Sequence, residues 1–292
     1  MPSTFNWKTS KTFTPCFQQW KSSSENNSLW KSRMKNHPFH IVDPRPWPLT
    51  RACGTFFMIR GVVSRMNQFD YILMWIGVSL IVLTITQWWR DVRREATLQG
   101  KHTHKVEEGL RIGILLFITS EVFFFIGFFW AYFHASLSPN IEVGATWPPL
   151  GIKTITPFDV PLLNTIILLS RGASITWAHI SILTSKWVEF NIRIGITVSL
   201  GCLFTLLQWI EYMFASFSMA DSVYGSAFFL ATGFHGLHVV IGTLFIRTIW
   251  LRHSLGHFSH LHHFGFEGRA WYWHFVDVVW LLLFLCIYWW GL

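Results

Sequence analysis

Residues 110–136 read LRIGILLFITSEVFFFIGFFWAYFHAS, 27 positions whose charged or imidazole side chains are Arg111 at the start, Glu121 near the middle and His134 close to the end. Wound as an α-helix at ~1.5 Å per residue, the run is about 40 Å long, longer than the ~30 Å hydrocarbon layer of a bilayer. A stretch this long, this apolar and this poor in charge reads as a transmembrane helix. It sets the class of the whole protein.

Outward from it the pattern recurs. The runs 69–89, 160–184, 192–214, 222–250 and 270–292 have the same length and apolarity, with Asp70, Arg171, Glu211, the pair His235 and His238, and Asp277 as their notable polar interruptions. That makes six strong spans. A seventh, 47–63, is broken by Arg51 and Arg60, and an arginine at a bilayer centre costs ~2.5–3.5 kcal/mol on insertion scales. The charge pattern decides whether it crosses. With seven crossings, residues 1–46 and the loops at 90–111, 186–193 and 252–269 share one side and hold 17 Lys and Arg, against two (Arg65 and Lys153) on the other. With six crossings the split becomes 10 against 9. The excess of cations on the inner side therefore favours seven spans with the N-terminus inside, and Arg60 must snorkel or face protein.

The composition agrees. Of 292 residues, 51% are hydrophobic and 18% aromatic, while 13% are charged, about half the ~25% usual in globular proteins. Such a chain has too much apolar surface for disorder and too little charge to cover a soluble domain. The net charge of +8 would suggest nucleic acid in a soluble protein; in a membrane protein it reports topology, and no nucleic-acid partner is expected. The four cysteines are far apart and form no C-x-x-C, which removes the signature of Fe–S, paired-thiol zinc and c-type haem sites. Residues 1–36 differ from the rest: they are polar, basic and lack a secretory apolar core. They read as a polar extension, with Trp7, Trp20 and Trp30 as anchors for a partner surface.

Aromatic residues such as Trp88, Trp89, Trp130, Trp147, Trp271, Trp273, Tyr288 and Trp290 mark span ends. The stripe Ala227, Ala231, His235, His238, Gly242 predicts a close helix approach along span six, as Gly127 and Ala131 do in span three. Glu121 is an intramembrane carboxyl, a functional candidate by default, and burial favours its neutral form. Glu267, His274 and Asp277 fall on one helix face by their spacing of seven and three. They read as a structural polar seam or a proton relay. His253, His257, His260, His262 and His263 cluster in one loop. Glu267 is the one carboxylate near them, so a surface facing anionic headgroups is expected there and no metal site. His179, His235, His238 and His274 do not form the repeated pairs that stacked haems need. No nucleotide loop, nucleophile elbow or H-E-x-x-H is present. On residues alone, two readings stay open: a self-sufficient transporter or proton channel, from Glu121 and the Glu267–His274–Asp277 face, and a membrane cytochrome, from the histidine count.

A series of motifs narrows the choice. The segments HPFHIVDPRPWPL (37–49), QWWRDVRRE (87–95), GKHT (100–103), LFITSEVFFF (116–125), FWAYFH (129–134), WPP (147–149), VPLLNT (160–165) and TWAH (176–179) run in order with TGFHGLHV (232–239), HHFGFE (262–267), WYWHFVDVVW (271–280) and YWWG (288–291). Together they resemble cytochrome c oxidase subunit III over residues 37–292. The resemblance implies an all-α membrane protein of seven helices, with a two-helix arm (37–105) and a five-helix bundle (106–292) enclosing a V-shaped lipid cleft, preceded here by the extension 1–36. It implies a core subunit of the proton-pumping oxidase that passes electrons from cytochrome c to oxygen. No haem or copper is expected on this chain; both are expected on partner subunits, with the catalytic haem–copper subunit I as neighbour. It also implies the mitochondrial inner membrane with the N-terminus in the matrix, and structural phospholipid such as cardiolipin or phosphatidylglycerol. By the matched motifs, Arg94, Glu95, His102, Arg252 and His257 are the expected lipid contacts, and Glu121 is the family's intramembrane carboxyl. Arg60, Arg171, Arg269, Ile180 and the extension depart from the family pattern.

Overall fold

The computed structural model describes residues 37–141, 144–258 and 263–291. The extension 1–36 with its three tryptophans, and His260 and His262 of the histidine-rich loop, lie outside the described residues. Among those described the chain is all helical: α1 (Trp47–Met66), α2 (Ile72–Thr97), α3 (His104–Leu137), α4 (Val160–Leu183), α5 (Trp187–Phe214), α6 (Val223–Ser254) and α7 (Phe264–Leu283), the last continuing into a π-helical turn, Phe284–Trp289. Six of them, α2 to α7, are long and apolar enough to cross a membrane. The seventh, α1, has 20 residues, about 30 Å at ~1.5 Å each.

Helix ends follow local chemistry. Proline stands in the first turn of both α1 and α4, where its missing N–H would have no helical partner anyway. Ser222 caps α6, its hydroxyl accepting from Gly225 N at 3.2 Å. After α4, Ser185 takes a left-handed φ of 55° and Lys186 N returns to Ser181 O at 2.9 Å. The chain then enters α5 at Trp187, so this link of three residues makes α4 and α5 antiparallel neighbours. The helix α7 starts six residues before the apolar run that the sequence marks at 270. Its first turn is polar but internally bonded: Arg269 donates to Gly265 O at 2.6 Å and Glu267 pairs with His263. Hydropathy reads the apolar segment, not the helix that extends into the interface.

The chain divides into two compact units. The first runs to Glu95 and takes in Gly100–Val106. In it, α1 and α2 meet through glycine. A Cβ at Gly61 would fall on the Met74 backbone, one at Gly77 on the Met58 backbone, and one at Gly54 would lie 3.0 Å from Ile81. Small residues at such crossings let backbones approach within van der Waals contact, which is the main attraction between helices in lipid.

The second unit is built on α4, α5, α6 and α7. Helix α4 packs on α5 and α7, and α6 packs on the same two. Its interior holds two aromatic and aliphatic clusters. One is centred on Phe204, Phe228, Trp280 and Tyr288, the other on Ile175, Phe190, Ile246 and Trp273. Helix α3 joins through rings: Phe117 stacks on Tyr272 at 6.0 Å, and Phe124 meets Phe234 edge-on at 5.1 Å. The span-six stripe does make a close approach, since a Cβ at Gly242 would enter the Trp273 ring. Gly127 and Ala131 do not: both are exposed, and a Cβ at Gly127 meets nothing within 4 Å. Spacing alone cannot tell which face of a wholly apolar helix points inward, and α3 is apolar all round.

Replacing Gly77 by Ala drives a methyl into backbone, which no rotamer change relieves, whereas overpacking that side chains can absorb costs ~1–3 kcal/mol. Gly77→Ala is expected to lower the thermal unfolding midpoint and yield of the assembled protein, while Gly109→Ala, with nothing within 4 Å of its Cβ, leaves both unchanged or raised. Calorimetry on the two purified variants reads the difference.

Candidate functional site

An ionisable side chain in hydrocarbon must find a partner or stay neutral. The described helices meet this requirement for a carboxyl within an apolar run in three places. The first involves Glu121, near the midpoint of the 34-residue α3. Its Oε2 lies 2.8 Å from His238 Nε2 on α6, and His238 Nδ1 lies 2.6 Å from the backbone oxygen of Phe234. A carbonyl oxygen only accepts, so Nδ1 carries a proton. The contact to Glu121 then shares one proton more, as an acid donating to a neutral imidazole or an imidazolium donating to a carboxylate. The pair has zero net charge in either form. Phe124, Phe125 and Tyr272 surround the imidazole.

The second place is the centre of the second unit. Arg171, at the midpoint of α4, is fully buried, and its Nη2 donates to Asp277 Oδ1 at 3.1 Å. The guanidinium carbon lies 3.7 Å from the centre of the Trp273 ring and 5.9 Å from that of Phe204, so Arg171 stands where the two core clusters meet. Glycine makes the space. A Cβ at Gly172 would lie 2.9 Å from Asp277 Oδ2, and one at Gly201 would lie 2.6 Å from Thr243 Oγ1 and 3.5 Å from Arg171 Nη1.

The third is Glu211 on α5, which is 5% exposed. It accepts from Tyr288 Oη at 2.6 Å and from Gln208 Nε2 at 3.3 Å. Tyr288 belongs to the π-helical turn that ends the last helix.

Of the three groups assigned by spacing to one face of α7, Glu267 goes to partners of its own, while His274 and Asp277, one turn apart, approach each other. Glu267 pairs with Arg111 of α3 at 3.2 Å and with His263 at 3.2 Å. Asp277 pairs with Arg171, and His274 Nδ1, on a half-exposed side chain, is 3.9 Å from Asp277 Oδ2. Sequence reasoning missed His238, Arg171 and Tyr288 as the partners of the three carboxyls. The one available signal was that Arg171 and Asp277, of opposite sign, each fall at mid-span in different runs.

Polar residues at the span ends are organised within each unit. In the first, Glu95 is 4% exposed and pairs with Arg45, while His40 Nε2 approaches it to 4.0 Å. Trp47 Nε1 donates to Asp91 Oδ2 at 2.9 Å, Lys101 pairs with Asp43 at 3.6 Å, and Thr103 donates to Pro38 O. Burial first, then Lys101 and Arg45, lower the His40 pKa below the ordinary histidine value. Of the expected lipid contacts here, Arg94 is exposed and His102 half-buried, its ring 6.1 Å from that of His40; Glu95 is committed to Arg45. In the second unit Arg252 is buried with its guanidinium 4.6 Å from the Phe258 ring, and His257 N bonds to Arg252 O at 3.0 Å. One group of metal-ligating atoms occurs among the described residues: His179, His263 and Glu267 each bring one within 4.8 Å of the others.

Comparison with known proteins places this architecture. The family model for cytochrome c oxidase subunit III matches residues 37–292, which begins where the described residues begin. Cytochrome c oxidase subunit 3 of Drosophila yakuba is 56% identical over 260 residues, covering 89% of this chain and 99% of the relative. That of Heterololigo bleekeri is 55% identical over 258 residues, 88% of this chain and 100% of the relative. That of Petromyzon marinus is 56% identical over 255 residues, 87% and 98%. A match of this length, carried by a six-span helical chain with its polar groups paired between helices, shows that the protein belongs to the cytochrome c oxidase subunit III family.

Proposed function

We propose that this chain is the non-redox, lipid-organising core subunit of the terminal oxidase. In this reading it braces the catalytic haem–copper subunit I and holds anionic phospholipid at its basic span ends. It thereby sustains proton uptake while electrons pass from cytochrome c to oxygen. It crosses the mitochondrial inner membrane seven times with its N-terminus in the matrix. The family implies no catalytic cofactor on this chain and a complex with other oxidase subunits.

The observation that carries the reading is how the intramembrane carboxyls are bonded. Glu121, Glu211 and Asp277 are each bonded to a side chain of a neighbouring element. A conduction route needs groups that hand protons onward, whereas these contacts lock α3 to α6, α5 to the end of α7, and α4 to α7. That arrangement suits a scaffold better than a self-sufficient channel. The basic residues support the lipid part. Arginine at an interface binds phosphate oxygens with charge-assisted hydrogen bonds. Arg94, with its side chain exposed, supports this directly; Arg252 is buried against Phe258 at the end of α6, and its lipid contact rests on the family resemblance. Glu95 serves this surface indirectly by holding Arg45, with His102 and His257 flanking the two arginines in sequence. The topology rests on the 17-to-2 charge split and on α1 being long enough to cross.

Two outcomes are expected. Neutralising Arg94 and Arg252 together to Gln lowers the cardiolipin or phosphatidylglycerol that co-purifies with the oxidase; unchanged lipid content by mass spectrometry refutes the lipid assignment. Glu121→Gln keeps size and hydrogen bonding opposite His238 while removing ionisation. The variant oxidase should retain most of its initial turnover and proton stoichiometry, with any defect growing during sustained turnover. Immediate loss of pumping at unchanged electron transfer and intact assembly would show that the carboxyl conducts protons.

A further inference from the structure

We propose that His179, His263 and Glu267 form a zinc(II) site at one end of the second unit, joining α4 to the start of α7. His263 and Glu267 are four residues apart, one helical turn, so their side chains share a face. His263 Nε2 and Glu267 Oε1 are 3.2 Å apart. His179 comes from the last turns of α4. Its ring stands edge-on to that of His263 at a centroid distance of 5.5 Å and is flanked by Phe266 at 5.4 Å. His179 Nε2 is buried and has no hydrogen-bond partner among the described residues. A buried imidazole nitrogen without a partner, beside a second imidazole and a carboxylate, is a donor atom lacking an acceptor or a cation.

The donor set selects the ion. Two imidazoles and one carboxylate suit zinc and its borderline neighbours, whereas calcium and magnesium take oxygen ligands. Three protein ligands leave the fourth tetrahedral position to water. Ligand atoms around zinc at ~2.0–2.1 Å are about 3.3–3.5 Å apart. The three atoms here lie within 4.8 Å, so side-chain rotation of roughly 1 Å closes the site at those bond lengths. The carboxylate is already oriented: Oε2 accepts from Arg111 Nη2 at 3.2 Å while Oε1 faces His263. An outer hydrogen bond of this kind fixes a ligand without occupying its metal-binding oxygen. The nearby guanidinium also repels a cation, so the site binds zinc reversibly and fills when the free ion is raised. Occupancy replaces the His263–Glu267 contact by metal bonds and ties α4 to α7.

The test uses intact oxidase stripped with chelator and equilibrated with zinc chloride. Bound zinc is measured by plasma mass spectrometry for the wild type, His179→Ala, Glu267→Gln and His134→Ala, the last an exposed histidine outside the trio. The wild type and His134→Ala are expected to take up one zinc more than the two trio variants. Their apparent affinity at this site should exceed that of the variants by at least about 100-fold, beyond the ~10–100-fold loss typical when only an outer-shell partner is removed. Equal uptake by all four proteins overturns the proposal. Should a trio variant fail to assemble, zinc-edge anomalous scattering from soaked wild-type crystals decides. A peak within ~2.0–2.2 Å of all three ligand atoms supports the site, and no peak there in crystals that fill zinc sites elsewhere refutes it.

Discussion

The pairing of Arg171 with Asp277 is the contact on which the interior of the second unit depends. Breaking a buried pair by removing one partner costs ~3–5 kcal/mol, because the remaining charge stays buried without compensation. Small residues and an aromatic face accommodate the pair. Gly172 and Gly201 leave the volume its atoms need, and Trp273 offers a π-face beneath the guanidinium. Asp277 is held on α7 at the depth of Arg171 on α4. The close packing of α4, α5 and α7 is therefore partly an electrostatic requirement. The small residues Gly172 and Gly201 are the ones that permit it.

The same rule recurs with different chemistry. Glu121 and His238 share a proton and cancel in charge, while Glu211 is bonded by a phenol and an amide. In the first unit, a buried glutamate near the water end of α2 takes a full ion pair with Arg45. Charge is kept where water or an opposite charge is at hand, and elsewhere it is neutralised by proton sharing or hydrogen bonding. Such contacts make helix positions hard to shift. That property fits a structural subunit of a larger oxidase complex.

Much of this was legible in the residues, for identifiable reasons. The six strong spans follow from length and apolarity, which a bilayer enforces on every segment separately. The family follows from motifs such as TGFHGLHV and WYWHFVDVVW, whose order a chance match would not reproduce. Pairing between helices was not legible, because it depends on which faces meet, and wholly apolar helices such as α3 have no hydropathic face to read. Hence Gly242 was placed correctly in a close approach, whereas Gly127 was assigned to one it does not make and Gly61 and Gly77, which do make one, went unread. Glu267, His274 and Asp277, placed together by spacing, all lie on α7. The partners from other helices, Arg111 for Glu267 and Arg171 for Asp277, are residues that spacing along α7 cannot reveal.

The claim that interhelical charge pairing holds the second unit together is tested most directly by a double-mutant cycle on its central pair. Arg171→Met, Asp277→Leu and the double variant would be compared with wild type by the thermal unfolding midpoint of the assembled oxidase. Each single change strands a buried charge and is expected to destabilise by ~3–5 kcal/mol, whereas the double change removes both charges and should recover most of that loss. If the two single effects simply add in the double variant, the side chains are not coupled and the account is wrong.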